Sequence, residues 1–424
     1  MDFTPPKIKI NIAIVGGGIC GLALAAGLCK KPHLDVHVYE GVAEHKDVGA
    51  GLALHMNAIK AMSLIGPEVR QAYFDKAMSM GESEDQEMVT EVILAQGPHT
   101  GELVAELGRA KGRKSVSRAD LLAGLLDLIP KDCISFSKKL VGIREDDSDK
   151  KVHLEFHDGS SATADCLLAA DGIHSTARSY LLGSTHPATE PKNHDKWQVY
   201  RTLVTTEEAK KHINEKWTRT VPILLGSRGH VNCIPLSKGT RLSAGVAVRG
   251  AGLLLVDGKP QPLDPALYAD YSEDARRIVN MVARDTSASW SVGDHDHAPY
   301  YTKGRVAIMG DAAHASLPFA GNGAAQALED AAVLDHLFGR VKDASKIEAA
   351  LRAYDEVRRP RSQAVGDLAR KFGRVYAYAE EDKLHEDPDR MKAFFAEAAA
   401  FTNNADLKRQ NDDAMELLER AIRG

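Results

Sequence analysis

Residues 11–28 read NIAIVGGGICGLALAAGL, a short apolar stretch that meets a cluster of glycines and continues with Ala and Leu at helical density. An apolar run with little polar alternation is typical of a buried parallel strand. Gly16, Gly18 and Gly21 complete a G-x-G-x-x-G pattern. The first glycine permits a tight turn, the second lets backbone approach a pyrophosphate, and the third lets the helix pack closely on the strand. The pattern therefore predicts a phosphate at this helix N-terminus.

The segment after this helix supports a dinucleotide site. A second strand pattern, DVHVYE, ends at Glu40, about 20 residues beyond the last glycine, where an acidic side chain would bind a ribose hydroxyl. The alternative, a glycine turn without a ligand, is disfavoured by the complete strand–helix–strand context. We therefore expect a dinucleotide to lie along this part of the chain.

Length and composition limit the remaining classes of protein. At 424 residues the chain is too long for one ordinary core, so we expect two interlocked domains, or one domain plus an appendage. A formal net charge of -5, without a dense Lys/Arg block, argues against a nucleic-acid partner. No run is apolar enough for a membrane span, and the cysteines show no pair spacing, which indicates reduced thiols. A cytoplasmic location is expected.

Two later segments repeat the pattern of an apolar strand that ends at an acidic residue. In 166–181, CLLAADGIHSTARSYL, the strand ends at Asp171, and in 304–334 a strand ends at Asp311 before a glycine-containing loop and a helix. The acid suits a ribityl or ribose hydroxyl, and the helix start suits a phosphate or an electron-rich ring edge. Three such strand ends imply one extended cofactor lying across one sheet.

The three segments together resemble the glycine fingerprint, the DG motif and the GD motif of FAD-dependent aromatic hydroxylases. These are the single-component flavoprotein monooxygenases typified by 4-hydroxybenzoate and salicylate hydroxylases, and the resemblance covers nearly the whole chain in motif order and spacing. It implies an α/β fold with a Rossmann-type FAD-binding domain, an inserted antiparallel β-sheet substrate domain and a C-terminal helical segment. Alternating strand patterns between about residues 195 and 250 agree with the inserted sheet.

These patterns also suggest domain boundaries. We assign 1–75, 105–185 and 285–345 to the FAD-binding domain, 76–104 and 186–284 to the substrate domain, and 346–424 to C-terminal helices. The Gly/Pro-rich stretch 250–265 is predicted to be a loop, in which the apolar residues Leu253 to Val256 form either a lid or a buried edge.

The resemblance further implies which residues bind FAD. The ADP half would be bound by Gly16, Gly18, Gly21 and Glu40, and the ribityl chain by Asp311. On the flavin side would lie Gly49 and Gly51, with Arg118 in contact with the cofactor, and Gly321, Gly323 and Ala324, the last two with N–H groups near the isoalloxazine carbonyl. Asp171 and Gly172 would serve both FAD and the nicotinamide cofactor. Because the chain carries a single Rossmann fingerprint, NADH or NADPH would dock transiently as a co-substrate.

The implied reaction is hydroxylation of a phenolic or hydroxybenzoate-type ring through a flavin C4a-hydroperoxide, with or without decarboxylation. The protein must then exclude water, orient the ring and favour the phenolate. A nearby cation favours the phenolate by lowering the pKa of the phenol. Arg201, in VYRTLV, is the first candidate, because a charge among apolar strand residues should face solvent or meet an anion. The alternative is a surface arginine on the outer face of the sheet.

Four further residues are candidates to contact the substrate. His230 and Asn232, in RGHVNCIPL, share one strand face because strand side chains alternate, and His230 is also a catalytic candidate. Ordinary polar positions on a half-exposed sheet are the alternative for both. Pro318 and Phe319 lie in the loop after the GD motif. Salicylate-type relatives often carry a histidine where this chain has Phe319, which removes one candidate partner for a carboxylate or phenol.

Three function classes remain open. They are an FAD- and NAD(P)H-dependent phenol or hydroxybenzoate monooxygenase, a same-fold monooxygenase or epoxidase acting on a larger polyketide or other substrate, and a flavin-binding protein without turnover. The intact cofactor motifs favour the first, with a small aromatic substrate and O₂ as partners and a monomer or homodimer as the assembly. No metal site is predicted, because His295 and His297 lack further ligands at usable spacing.

Overall fold

The structure of the protein is a computed structural model that describes residues 9–45, 51–79, 87–111, 114–146, 148–251, 255–256, 259–285 and 288–423. Gly49, Leu253 and Leu254, named in the predictions above, lie outside these residues. In the remainder of the predicted loop 250–265, Leu255–Val256 pairs with Lys259–Pro260 as two short antiparallel strands. The choice between a lid and a buried edge stays open.

The strands and helices have the following bounds. The strands are β1 Ile10–Val15, β2 Leu34–Tyr39, β3 Gly51–Ala53, β4 Met78–Ser79, β5 Glu87–Leu94, β6 Leu103–Lys111, β7 Lys114–Ser117, β8 Ile134–Ser135, β9 Leu140–Asp146, β10 Lys151–Phe156, β11 Ser161–Ala164, β12 Cys166–Ala169, β13 Gln198–Thr205, β14 Val221–Gly226, β15 Gly229–Leu236, β16 Arg241–Val248, β17 Leu255–Val256, β18 Lys259–Pro260, β19 Ala288–Ser291, β20 Thr302–Lys303 and β21 Val306–Ile308. The helices are α1 Ile19–Leu28, α2 Met56–Ile65, α3 Pro67–Lys76, α4 Arg118–Leu126, α5 Thr176–Leu182, α6 Thr206–Lys210, α7 Glu273–Val282, α8 Asp311–His314, α9 Gly323–Phe338, α10 Ile347–Tyr376, α11 Pro388–Asn403 and α12 Leu407–Arg423.

The first sheet carries the three sequence motifs at one edge. Its strand order is β20–β21–β12–β1–β2–β8, and all neighbours are parallel except β20 and β21. The central strands are mostly apolar because helices cover the sheet, and strands and helices share one buried cluster. Parallel strands end at a common edge, so the turns after β1, β2, β12 and β21 lie side by side. The predicted path for one extended cofactor is therefore present.

The second sheet is the predicted inserted sheet. Its order is β19–β13–β16–β15–β14–β5–β6, antiparallel except for the β14–β5 pair. Its outer face packs on α7, and its inner face packs on the loop before α9 and on α10 and α11. Both β6 and β19 belong to this sheet, so it includes residues on each side of the boundaries proposed near 104 and 284. The domain division itself stays a prediction.

The C-terminal helices contribute to both parts of the core. Helix α10 contacts α9 and α12, while α11 packs on β6. Phe372, Tyr376 and Phe395 join the apolar cluster on the inner face of the second sheet. The architecture confirms the predicted α/β fold class with its inserted sheet and helical C-terminal segment. Among the helices of the described ranges, none combines the length and apolar character needed to cross a membrane.

Candidate cofactor and substrate site

The glycines of the turn after β1 have two roles: two allow close backbone packing, and one leaves space for a ligand. Gly16 has φ +100°, and a Cβ there would stand 2.1 Å from the carbonyl oxygen of Ala170. A Cβ at Gly21 would stand 2.0 Å from the carbonyl oxygen of Gly16. At Gly18, by contrast, nothing lies within 4 Å of a Cβ. Gly16 and Gly21 are therefore required by the protein's own backbone, while Gly18 leaves open the space that a pyrophosphate would need.

Glu40 anchors this turn from the end of β2. Its Oε2 accepts a hydrogen bond from the Gly17 N–H at 2.5 Å, and its Oε1 accepts one from the Val42 N–H at 2.8 Å. The carboxylate thus stands next to the glycine turn, where the ribose of a dinucleotide would lie. This geometry fits the adenosine half of FAD.

In the DG segment, the side chain of Asp171 is directed into the protein. Its Oδ1 accepts from the Ser175 hydroxyl at 2.5 Å, and its Oδ2 accepts from the Ala177 N–H at 3.1 Å. Burial raises the pKa of this carboxyl. The neighbouring Gly172 has φ +81° and open space around it. Asp171 therefore holds the start of α5 in place, and its predicted contact with the cofactors stays a prediction.

Arg178 links the DG segment to the GD segment, a role that its position in the sequence did not suggest. The side chain is fully buried, and its guanidinium donates to the carbonyl oxygens of Ala188, Ala312, Ala313 and Asp296 at 2.6–3.1 Å. Two of these carbonyls belong to α8, the short helix that begins at Asp311. Burial lowers the pKa of Arg178 to about 10. Arg178 thus holds α8 against α5.

The GD turn presents Asp311 at the sheet edge. Gly310 has φ +57°, and its N–H donates to Asp330 Oδ2 at 2.8 Å. Asp311 is exposed, and within the described part of the chain its carboxylate makes no hydrogen bond. Because it follows β21, it stands in line with the turns after β12 and β1. The position fits a carboxylate that receives a ribityl hydroxyl.

The start of α9 offers backbone N–H groups to a ligand. The first N–H groups of a helix have no acceptor within the helix. Asn322 precedes α9, but its side chain makes no hydrogen bond to them and accepts one from Asn57 Nδ2 at 2.9 Å instead. Gly321 is left-handed with φ +61°, and a Cβ at Gly323 would meet only Ser316 Oγ, at 3.8 Å. The N–H groups of Gly323 and Ala324 therefore suit an electron-rich carbonyl such as that of the isoalloxazine ring.

Gly51 and Arg118 lie on the opposite side of this region. A Cβ at Gly51 would stand 2.9 Å from Ile234 and from Leu236, so the glycine lets β3 lie against the inner face of the second sheet. Strand β3 pairs with β7, and Arg118 follows β7 as the first residue of α4. Its side chain is exposed. Gly51 therefore lies where β3 meets the second sheet, while the predicted contact of Arg118 with the cofactor stays a prediction.

One row across the inner face of the second sheet contains two of the substrate candidates. Arg201 on β13 pairs with Gly245 on β16, which pairs with Asn232 on β15. Directly paired residues direct their side chains to the same face. Because Gly245 lacks a Cβ, the Asn232 side chain lies over it, with Oδ1 2.7 Å from where that Cβ would be. The row thus carries a guanidinium and an amide with no side chain between them.

Arg201 is a half-buried cation on this inner face. Its guanidinium stacks over the Trp290 ring at 4.7 Å from the centroid, and no carboxylate of the described residues forms an ion pair with it. Burial lowers the pKa of the guanidinium. A cation in this environment favours an anionic ligand. Trp290, on the neighbouring strand β19, was not found from the sequence because that strand is short and mostly polar.

The row lies between β3 and the turn that leads to α9. Towards one end of the strands, Ile234 contacts Gly51 on β3. Towards the other end, His230 packs against Phe319 in the turn Pro318–Ala320 that leads to α9. The space in front of Arg201 and Asn232 is therefore bordered by the two segments that the family resemblance assigns to the flavin.

His230 and Phe319 lie in an aromatic cluster. The Phe319 ring is 4.4 Å from Trp197 and 5.2 Å from His230, and the His230 ring is 5.1 Å from Tyr376, all between ring centroids. His230 is 7% exposed, and its Nδ1 has no partner within the described residues. Both side chains form a packed wall of the site. Their predicted contact with substrate stays a prediction.

This burial gives His230 a measurable effect on stability. Burial lowers the pKa of His230 to about 3, against about 6.5 in an unfolded chain. As pH falls below 6.5 the unfolded state takes up a proton that the folded state does not, so the free energy of unfolding decreases. Between pH 7 and pH 5 we expect His230 to account for a loss of about 2 kcal/mol. His230→Phe, measured by urea unfolding at both pH values, should remove that part of the loss.

A matched control is available for this measurement. Phe372→Leu alters the same aromatic cluster but removes no titratable group, so it should leave the pH dependence of stability as in the wild type. An unchanged pH dependence in His230→Phe would contradict the neutral, buried state of His230.

His295 and His297 do not belong to a metal-ligand cluster. Among the described residues, metal-ligand side chains gather in a group of three only at Asp146, Asp149 and His153, on the hairpin of β9 and β10. Such acidic surface groups are common without an ion.

Comparisons with known proteins agree with this geometry. Residues 9–369 match the protein family described as FAD binding domain. The 6-methylsalicylate 1-monooxygenase of Aspergillus terreus is 35% identical over 418 residues, which cover 96% of this chain and 92% of that protein. A salicylate hydroxylase of Pseudomonas putida is 30% identical over 391 residues, 87% of each chain. The solved structure of a salicylate hydroxylase substrate complex has a TM-score of 0.81 and 31% identity, and the match covers 96% of this chain and 98% of that one.

Proposed function

The chain belongs to the FAD binding domain family of flavoprotein monooxygenases, and we propose that it hydroxylates the phenolic ring of a small aromatic acid held by Arg201. It is an FAD-dependent monooxygenase that uses NAD(P)H as co-substrate. The relatives named above act on salicylates according to their names. A hydroxybenzoate-type substrate combines the anionic carboxylate and the activated ring that such chemistry needs.

The observation that carries this proposal is the unpaired guanidinium of Arg201. It is half-buried, lies on the inner face of the second sheet and stacks on Trp290 without a carboxylate partner among the described residues. A bound carboxylate or phenolate would compensate the charge and gain a charge-assisted hydrogen bond. Asn232, in the same row, would donate or accept a hydrogen bond at a ring substituent.

When bound, FAD would supply the redox chemistry of the reaction, with NAD(P)H as the source of electrons and O₂ as the source of the transferred oxygen atom. The chain's own residues have three tasks. Arg201 and Asn232 orient the ring, the aromatic wall of Phe319 and His230 excludes water, and the Arg201 charge favours the phenolate over the phenol. Both NADH and NADPH remain candidates. We further propose a cytoplasmic monomer or homodimer.

The proposal is tested by NADH and NADPH oxidation with salicylate, 6-methylsalicylate, 4-hydroxybenzoate and phenol, followed by product mass. We expect at least one of the three acids to accelerate oxidation and to yield a product heavier by one oxygen atom, or one that has also lost CO₂. In Arg201→Met, the KM for the acid should rise roughly 100-fold, because a charge-assisted pair of about 2–3 kcal/mol is lost. Arg201→Lys should show a smaller rise, since it keeps the charge but not the planar fork.

Two controls define the outcome. Arg249→Met removes an exposed arginine that pairs with Asp195 at the end of β16, and should leave KM unchanged. Phenol has no carboxylate, so Arg201→Met should have little effect on any NADH or NADPH oxidation that phenol stimulates. If no phenolic acid accelerates oxidation, the simple aromatic substrate is wrong and larger apolar substrates become the leading class.

A further inference from the structure

A buried ionic cluster lies directly beneath the start of α9. Glu329 and Asp330 are adjacent on α9 and fully buried, as is Arg358 on α10. Arg358 donates to Glu329 Oε2 and to Asp330 Oδ1, each at 2.7 Å. Arg361, one turn further along α10, donates to Glu329 Oε2 at 2.7 Å and to Oε1 at 2.9 Å. Two carboxylates are thus paired with two guanidinium groups, and the His314 imidazole also contacts Asp330, with Nε2 2.6 Å from Oδ2.

The cluster is connected to two of the cofactor segments, the start of α9 and the GD turn. Asn57 Nδ2 donates to Glu329 Oε1 and to Asn322 Oδ1, each at 2.9 Å, and so ties Glu329 to the residue before α9. Asp330 Oδ2 accepts from the Gly310 N–H at the GD turn. The acid pair therefore supports the two turns that the family resemblance assigns to the ribityl chain and the flavin ring.

The same cluster reaches the C-terminal helices. Arg361 donates to the carbonyl oxygens of Phe401 and Thr402, at 3.3 and 3.1 Å near the end of α11. Arg358 donates to Gln410 Oε1 on α12 at 2.9 Å. Contacts with both α11 and Glu329 thus fix the position of the Arg361 side chain.

The charge balance of the cluster acts on whatever binds at the start of α9. Glu329 follows Gly323 by six positions, so its backbone lies about 9 Å along the helix axis from the first turn. Over such a distance in a buried environment, one uncompensated charge changes an equilibrium that creates a second charge by roughly tenfold. Salt screens a buried charge far less than an exposed one.

We propose that Glu329 and Arg361 are positioning residues that set the reduction potential of the flavin. The inference rests on the proposed function in one respect, the placement of the flavin ring at the N-terminus of α9. Reduction adds negative charge to the ring. Removing Arg361 leaves Glu329 and Asp330 with Arg358 as their one arginine partner, and the resulting excess of negative charge opposes reduction. Removing Glu329 leaves an excess of positive charge at Arg361, and that charge favours reduction. The balance between the two therefore adjusts how readily the bound flavin accepts electrons.

The test is an anaerobic redox titration of the holoenzyme without aromatic ligand, using a reference dye. Arg361→Met should lower the equilibrium constant for flavin reduction about tenfold, which is about 30 mV for a two-electron couple. Glu329→Gln should raise it by a similar factor. The double variant E329Q/R361M should return towards the wild-type value, and Arg361→Lys, which keeps the charge, should stay close to it.

Controls separate this role from a merely structural one. Arg352→Met removes an exposed arginine of α10 that pairs with Glu348, and should leave the potential unchanged. A structural role alone would lower the melting temperature without shifts of opposite sign. If Glu329→Gln does not fold, the proposal is still tested by comparing Arg361→Met with Arg361→Lys. Equal flavin reduction potentials in these two variants would overturn it. The titration contains no aromatic acid, so its result does not depend on the outcome of the Arg201 test. Absence of bound FAD in the wild-type protein would instead contradict the proposed function.

Discussion

Gly16→Ala is expected to give a protein that binds no FAD. The alanine Cβ would stand 2.1 Å from the Ala170 carbonyl oxygen, and the residue would have to keep φ +100°. Both effects act on the turn that joins β1 to α1, and the clash is with backbone that cannot move without shifting the loop after β12. We expect a penalty on the order of 4 kcal/mol or more, equivalent to roughly a 1,000-fold loss of FAD affinity. Flavin absorbance of the purified protein and fluorescence titration with FAD measure it.

Two other glycines provide matched controls for this variant. Gly18→Ala places a Cβ in open space, so the apoprotein should fold as the wild type does by circular dichroism, while FAD affinity falls because the pyrophosphate needs that space. Gly366→Ala, inside α10 with nothing within 4 Å, should keep full flavin content and gain roughly 0.5–1 kcal/mol of stability. Recovery of Gly16→Ala with stoichiometric flavin would show that the turn tolerates a side chain.

The largest effect on stability is expected for Arg358→Met. This substitution leaves Glu329 with Arg361 alone and Asp330 without an arginine, in a region from which solvent is excluded. Removing one partner of a buried ion pair costs about 3–5 kcal/mol. Guanidinium chloride unfolding of the variant measures the loss, and Arg352→Met serves as the exposed control on the same helix.

The pH dependence of this loss has a definite sign. Burial raises the pKa of Asp330, but His314 and Arg358 lower it further, to a net value of about 2. The pKa of Glu329 is also lowered overall, by Arg358 and Arg361 against the effect of burial. A depressed pKa in the folded state gives stability that is full above about pH 4 and is lost as pH falls towards 2. The difference between wild type and Arg358→Met should therefore narrow below pH 4, and a difference that grows on acidification would contradict the assignment.

The cofactor side of the site could be predicted from the sequence because each motif is local. A glycine turn between an apolar strand and a helix, or an acidic residue at the end of an apolar strand, can be recognised from a stretch of about 20 residues. That Gly16, Asp171 and Asp311 follow neighbouring strands of one sheet agrees with those readings. Gly18, with its open surroundings, has the environment that the fingerprint implied.

The substrate side could be predicted only in part, because it depends on strand register. The alternation in RGHVNCIPL placed His230 and Asn232 on one face, but it could not show that Asn232 pairs across Gly245 with Arg201. The partner strand β19 of Arg201, with Trp290, joins this sheet from a distant part of the chain. The contacts of Arg178 with Ala313, of Asn57 with Glu329 and of Arg361 with Phe401 likewise connect residues more than 30 positions apart, and no local pattern signals them.

The strand order of the first sheet also determines when during synthesis the cofactor site is complete. Strand β1, which carries the glycine turn, pairs with β12, and β12 pairs with β21 at Val306–Ile308. The edge that supports FAD therefore requires three segments spread over most of the chain, and such non-local pairing is slow to form. A nascent chain on the ribosome exposes its glycine fingerprint long before the rest of the site exists. We therefore expect FAD to bind only after most of the chain has been synthesised, and bound FAD then to protect the folded protein from proteolysis.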